Sequence, residues 1–134
     1  MTNPEPILVV DDAPDDTYFL RRTLKHAGIH NPVIGCSNGE EAVSFLESAR
    51  FGGQRPGLVF LDLRMPRMDG FEFLRWLRSH AEFADLKVIV ISSSPLDEDR
   101  QRAAELGCHD YVVKFPSPEA MSQLVAAALA DCAT

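Results

Sequence analysis

Asp11 with Asp12, Asp62, Ser92 with Ser93 and Ser94, and Lys114 each follow directly on a short apolar run rich in β-branched residues. If those runs are strands of one parallel sheet, the side chains meet at its carboxyl edge, where open α/β sheets place their functional crevice. Three carboxylates gathered there repel one another and raise each other's pKa values unless a cation sits among them. A hard divalent ion suits such oxygens. Mg²⁺ takes one or two carboxylates readily, keeps several waters and shares its site with phosphate groups. An Asp carboxylate is also a nucleophile toward phosphorus, giving a short-lived acyl phosphate. The arrangement therefore predicts that Asp62 attacks phosphorus while Asp11, Asp12 and Asp62 hold Mg²⁺, with the backbone carbonyl of Arg64 as a further oxygen ligand. Lys114 neutralises a phosphoryl oxygen, and Ser92 donates a hydrogen bond to the product phosphate.

Taken singly, each residue has a plainer explanation. An Asp after a strand is commonly a turn or cap residue, and a lone Lys is commonly solvated. What argues for chemistry is the set, in order, at the ends of alternating units. The strand runs are Ile7 to Val10, Val33 to Cys36, Leu58 to Leu61, Lys87 to Ile91 and Tyr111 to Val113. Between them, helical periodicity covers Asp15 to Ala27, with Leu20, Leu24 and Ala27 on one face. A second helix is capped by Asn38 and carries Ala42, Phe45, Leu46 and Ala49 at helical spacing. A third runs from Gly70 to His80 with Phe73, Leu74 and Leu77 inward. A fourth, Asp97 to Leu106, is polar and has only Ala103, Ala104 and Leu106 to bury. The last opens at Ser117-Pro118-Glu119, with Ser as N-cap, and carries Met121, Leu124, Val125, Ala128 and Leu129 on one stripe. Strict βα alternation predicts an α/β fold: a doubly wound, five-stranded parallel sheet, a flavodoxin-like (βα)5 sandwich. Phe51 to Gly57 reads as a loop, and the chain ends with the fifth helix, so one domain without an output domain is expected over residues 1–134.

Composition narrows the function classes. A formal net charge of −7 argues against direct nucleic-acid binding, which needs a basic face. No run approaches the roughly 18 apolar residues of a membrane span, and Met1 to Pro6 lacks the regions of a signal peptide. Cys36, Cys108 and Cys132 are odd in number and widely spaced, which favours reduced thiols; a cytoplasmic location is expected. His26 and His30 are separated by the helix-ending Gly28, and the Trp76 and Arg75/Arg78 face of the third helix reads as solvated.

The pair Asp11-Asp12 after "ILVV", the segment "LVFLDLRMPRMDGFEFL" around Asp62, "VIVISSS" ending on the serines and "GCHDYVVK" ending on Lys114 together resemble the receiver domain of two-component response regulators. The resemblance runs over essentially the whole chain and is to the stand-alone type, with the Phe51 to Gly57 loop and "KFPSPE" similar to small regulators of phytochrome-like kinases. It implies a phosphoacceptor at Asp62, Mg²⁺ at Asp11, Asp12, Asp62 and the Arg64 carbonyl, a hydroxyl switch at Ser92 and an aromatic switch at Tyr111. It also implies a sensor histidine kinase or histidine phosphotransfer protein as partner. The fourth helix, fifth strand and fifth helix form the output face, through which a homodimer is a further implied state. The family usually has Pro directly after the Lys; here Phe115 intervenes before Pro116. A cis bond there costs about 2.5 to 4 kcal/mol for a non-proline residue, so either trans geometry or strain is expected. Phe115 is either an anchor on the partner face or a ring tucked against the fourth helix. The competing enzyme class is a Mg²⁺-dependent phosphatase with an Asp nucleophile. Such enzymes place a second acid two residues on, where this chain has Arg64, which cannot protonate a leaving group. No Gly-rich phosphate loop follows any strand.

Overall fold

The computed structural model describes residues 5–49, 55–94 and 96–132, leaving aside the side chains of 130–132. Its β-branched runs form Ile7–Val10 (β1), Val33–Cys36 (β2), Leu58–Leu61 (β3), Lys87–Ser92 (β4) and Asp110–Val113 (β5). All pair in parallel in the order β2-β1-β3-β4-β5. The connecting helices are Pro14–His26 (α1), Gly39–Ala49 (α2), Gly70–Arg78 (α3), Asp97–Glu105 (α4) and Pro118–Cys132 (α5). This is the expected flavodoxin-like sandwich. The loop expected over Phe51 to Gly57 lies outside the described residues as far as Gln54.

Period-two alternation along the strands divides the core in two. Leu8, Val10, Val59, Leu61, Val88 and Val90 face the layer of α2, α3 and α4. Their neighbours Ile7, Val9, Leu58, Phe60, Ile89 and Ile91 face α1 and α5. Each fully buried side chain of this kind contributes roughly 1.5 to 3 kcal/mol, so the central strands are the most firmly held part of the molecule. The chain runs from β1 out to the edge strand β2 and returns past β1 to β3. The winding direction changes between β1 and β3, and the crevice opens there. Asp11 N–H donates to the Cys36 carbonyl at 3.0 Å and Asp62 N–H to the Val10 carbonyl at 2.9 Å, so the ladder carries both aspartates to the same edge.

Several boundaries differ from expectation. β4 includes Ser92, which pairs in register with Val113, because Lys114 N–H donates to the Ser92 carbonyl at 2.8 Å and extends the ladder. α3 stops at Arg78 rather than His80: Ser79 Oγ donates to the Trp76 carbonyl at 2.7 Å, competing with the helix's own bonds, and a short 3-10 turn follows at Ala81–Phe83. In α4 the buried residues are Ala103 and Asp99, whereas Ala104 is exposed and Leu106 only half-buried. The expected caps are present: Asn38 Oδ1 accepts from Glu41 N–H at 2.9 Å, and Ser117 Oγ from Ala120 N–H at 3.1 Å.

The face of α3 carrying Trp76 and Arg78 is not a solvated one. Trp76 lies among Phe73, His80 and Phe83, and the Arg78 guanidinium donates to the carbonyls of Phe83, Ala84, Leu86 and Gly107 at 2.6 to 3.3 Å. Arg78 has this role because a planar fork of donors satisfies turn carbonyls that lack helix or sheet partners. Only Arg75 of that group remains exposed.

Candidate functional site

Asp11 and Asp12 leave β1, Asp62 leaves β3, and one oxygen from each of the three lies within 4.8 Å of the others. Asp12 is exposed, Asp11 half-buried and Asp62 buried, with 7% of its surface accessible. Asp11 Oδ1 is fixed by the N–H of Ala13 at 2.9 Å. Burial, and after it the charge of Asp11, push the Asp62 carboxyl up to about 6; Lys114 and a backbone hydrogen bond from Arg64 act in the opposite direction, and Asp12 adds to the rise. A site that resists holding its own negative charge is one that a divalent cation suits, so the donor set fits Mg²⁺ or a similar hard ion.

Two glycines permit this crowding. An added Cβ on Gly70 would stand 2.5 Å from the Asp62 carbonyl oxygen, and one on Gly39 would stand 2.8 Å from the Met68 carbonyl oxygen. Gly70 N–H donates to the Leu63 carbonyl at 3.0 Å, bringing the first turn of α3 against the residue that follows Asp62. Asp69 caps that turn in a reciprocal box with Glu72, so the loop from Asp62 to Asp69 is anchored at both ends.

Lys114 reaches the same edge from the end of β5. Its ammonium lies 2.6 Å from Asp16 Oδ2, 3.1 Å from Asp11 Oδ2 and 3.8 Å from Asp62 Oδ2. Burial alone would lower its pKa, but the hydrogen bonds to Asp16 and Asp11 and the charge of Asp62 outweigh that and raise it. Asp16 is absent from the sequence-based set. It lies in the first turn of α1 beside Asp15, where an acid reads as an ordinary helix-start residue, and only the fold brings it to this rim.

Ser92 is fully buried, and its Oγ accepts from Ser94 N–H at 3.1 Å. Tyr111 is buried with its ring turned inward: the hydroxyl donates to the Ser94 carbonyl at 2.7 Å, and the Arg100 guanidinium covers the ring at 4.7 Å. Ser94 Oγ donates to Asp99 Oδ2 at 2.8 Å, and Arg64 Nη2 donates to the same oxygen at 2.9 Å. Asp99 thus joins the loop after β3, the loop after β4 and α4, a link invisible in the sequence because its members are far apart along the chain. The Arg64 side chain is committed to this pair.

The Lys114–Phe115 peptide is cis. Phe115 is 53% exposed and rests on Phe19 of α1, ring centres 5.8 Å apart, rather than against α4. Phe19 and Tyr18 are themselves exposed on α1, so the ring found apolar company there that the polar α4 does not offer. Cys36 and Cys108 are free thiols, and burial pushes Cys36 up to about 11. Among the described residues no helix is long and apolar enough to cross a membrane.

Comparison with known proteins agrees with this geometry. The chain is 37% identical over 119 residues to a 14.6 kDa protein of Leptolyngbya boryana, covering 89% of this chain and 86% of that one. It is 31% identical over 119 residues to the sensor histidine kinase CheAY of Helicobacter pylori, covering 89% of this chain but only 14% of the kinase. Among solved structures it is similar to the Mn²⁺-bound response regulator Rcp1, at 27% identity and a TM-score of 0.78 over 92% of this chain and 93% of that one. It is similar also to the phosphorylated cyanobacterial phytochrome response regulator RcpA, at 25% identity and a TM-score of 0.78 over 92% and 90%. Residues 7–127 match the family of the response regulator receiver domain, and the chain belongs to that family of signalling switches.

Proposed function

We propose that this chain is a phosphorylation-dependent switch of a two-component phosphorelay, accepting a phosphoryl group from a histidine kinase or a histidine phosphotransfer protein on Asp62. The observation that carries the reading is the meeting of Asp62 with Asp11, Asp12 and the Lys114 ammonium at one strand edge. Asp11, Asp12 and Asp62, with the Arg64 carbonyl, would hold Mg²⁺, which when bound supplies charge neutralisation for the incoming phosphoryl oxygens. Asp62 supplies the attacking oxygen. Lys114 supplies a positive charge beside it, and Ser92 a hydroxyl at the end of the adjacent strand.

Phosphorylation adds close to two negative charges and three acceptor oxygens beside Ser92 and Lys114. Ser92 Oγ is now engaged by Ser94 N–H, while Ser94 accepts the Tyr111 hydroxyl and donates to Asp99. Drawing Ser92 toward the phosphate therefore disturbs Ser94, and through it Tyr111 and α4. The α4–β5–α5 face is the output surface in this proposal, binding a protein partner or a second copy, with no role in binding nucleic acid directly. The phosphatase alternative gains nothing from the geometry, since Arg64 offers no acid and is paired with Asp99.

Incubation with acetyl phosphate and Mg²⁺ followed by intact mass measurement tests the reading. One added phosphoryl group, absent without Mg²⁺ and in Asp62→Asn, is expected. Continuous release of phosphate with no stable adduct would favour the phosphatase, and no reaction at all would sink both.

A further inference from the structure

The proposed function leaves one contact of its own site unused. The Asp16 carboxylate projects from the opening turns of α1 and accepts a hydrogen bond from Lys114 Nζ at 2.6 Å, shorter than the ammonium's distances of 3.1 Å to Asp11 and 3.8 Å to Asp62. The nearest anion to Lys114 is therefore not at a strand end and is not among the metal-suited carboxylates. Only 9% of the Lys114 side chain and 28% of the Asp16 side chain are accessible, so the pair is partly shielded from water, where opposite charges attract more strongly than at an open surface.

An ammonium has three donors. Two of those on Lys114 are directed to Asp16 and Asp11, and Asp62 at 3.8 Å lies beyond hydrogen-bonding distance. In phosphoryl transfer a bond forms between an Asp62 carboxylate oxygen and phosphorus as the donor's bond to phosphorus breaks, and the leaving group departs with the electron pair. No oxidant or reductant is involved. The new anion on Asp62 needs the positive charge that Asp16 is holding.

We propose that Asp16 is a positioning residue of this site: the resident partner of Lys114, with which an anion on Asp62 must compete. The inference rests on the proposed function, and deepens it. Asp16 weakens capture of the phosphoryl group in two ways, by occupying Lys114 and by adding a negative charge nearby. The first is specific to Asp16. The second is shared by any acid close by, and Asp15, exposed and one residue earlier, is the natural comparison.

The test is the affinity for beryllofluoride, a tetrahedral phosphoryl mimic, at saturating Mg²⁺, read by ¹⁹F NMR for the native chain, Asp16→Asn, Asp16→Glu and Asp15→Asn. Asp16→Asn is expected to tighten binding about five-fold, the size of a partly screened ion pair. Asp16→Glu, which keeps the partner, stays near the native value, and Asp15→Asn changes it by less than about two-fold. Asp16→Ser, expected to tighten binding like Asp16→Asn, guards against one variant failing to fold, and thermal melting verifies each protein. Unchanged or weaker binding in the folded Asp16 variants overturns the inference alone, as does an equal gain in Asp15→Asn. A native protein that does not take up beryllofluoride overturns the proposed function and this inference with it.

Discussion

At the residue scale the decisive group is Asp62, whose carboxyl sits at about 6 because burial, and next the Asp11 charge, oppose its ionisation. The sign follows from linkage. An unfolded Asp titrates near its ordinary value of about 3.9, so between that and about 6 the folded metal-free protein binds more protons than the unfolded one. The group's stabilising contribution is full below pH of about 4 and is lost as pH rises through about 6. Asp62→Asn removes the charge and keeps the shape, so without Mg²⁺ it is expected to stabilise the protein at pH 7.5 by about 1 to 3 kcal/mol, the lower end allowing for the cost of burying the amide. The gain disappears at pH 4, and Mg²⁺ reverses it at pH 7.5, since the variant offers the ion one carboxylate fewer. Urea denaturation of both proteins at the two pH values, with and without Mg²⁺, measures this. A gain that persists at pH 4 would mean that the strain at this position is steric rather than electrostatic. Much of this site was legible in the sequence: residues 11, 12, 62, 92 and 114 announce themselves by following strand runs. Asp16 and Asp99 did not, because one looks like an ordinary acid in a first helical turn and the other is defined by partners that only the fold assembles.

At the element scale α3 separates stability from chemistry. Arg78 ties its carboxyl end to the turn before β4 and to the Gly107 carbonyl beyond α4, at the opposite edge of the sheet from the aspartates. Arg78→Ala strands up to four carbonyls, some of them buried, and is expected to lower stability by about 2 to 3 kcal/mol while leaving Mg²⁺ affinity within about two-fold. Gly70 starts the same helix against the Asp62 backbone, and a methyl group there must push the loop after β3 aside. Gly70→Ala is therefore expected to cost about 1 to 3 kcal/mol and to weaken Mg²⁺ binding about ten-fold, because the displaced backbone carries Asp62 with it. Thermal melting and calorimetric Mg²⁺ titration of the pair read both quantities. Equal effects of the two variants on Mg²⁺ would show that α3 does not position the site through its first turn. Sequence periodicity found the apolar stripe of α3 but missed the work of Arg78, since a cation on a helix face gives no sign of the carbonyls it will meet.

At the scale of the whole molecule the helices of one layer, α2, α3 and α4, are held unequally. α3 buries Phe71, Phe73, Leu74 and Leu77, whereas α4 buries one apolar side chain, Ala103, and one carboxylate, Asp99. The poverty of α4 in apolar anchors is evident from its composition, as was the alternation that set the fold; the replacement anchor is not. That anchor is polar: Asp99 is held by Arg64 and Ser94, while Arg100 packs over Tyr111 and donates to its carbonyl at 3.2 Å. Polar anchors are directional and break with small displacements, unlike an interdigitated core, so α4 belongs to the low-stability end of the structure. Amide exchange in 97–105 is accordingly expected to open at least about 2 kcal/mol below that of β1 and β3, while α3 follows the strands more closely. Asp99→Asn should widen the gap, because a neutral amide pairs poorly with the Arg64 guanidinium. Beryllofluoride with Mg²⁺ should alter exchange at 92–113 while leaving β1 unchanged. Native-state hydrogen exchange of the free, beryllofluoride-loaded and Asp99→Asn proteins checks each part. Uniform protection across α3 and α4, untouched by the anion, would mean that the polar network is as firm as the core and would count against the proposed α4–β5–α5 output surface.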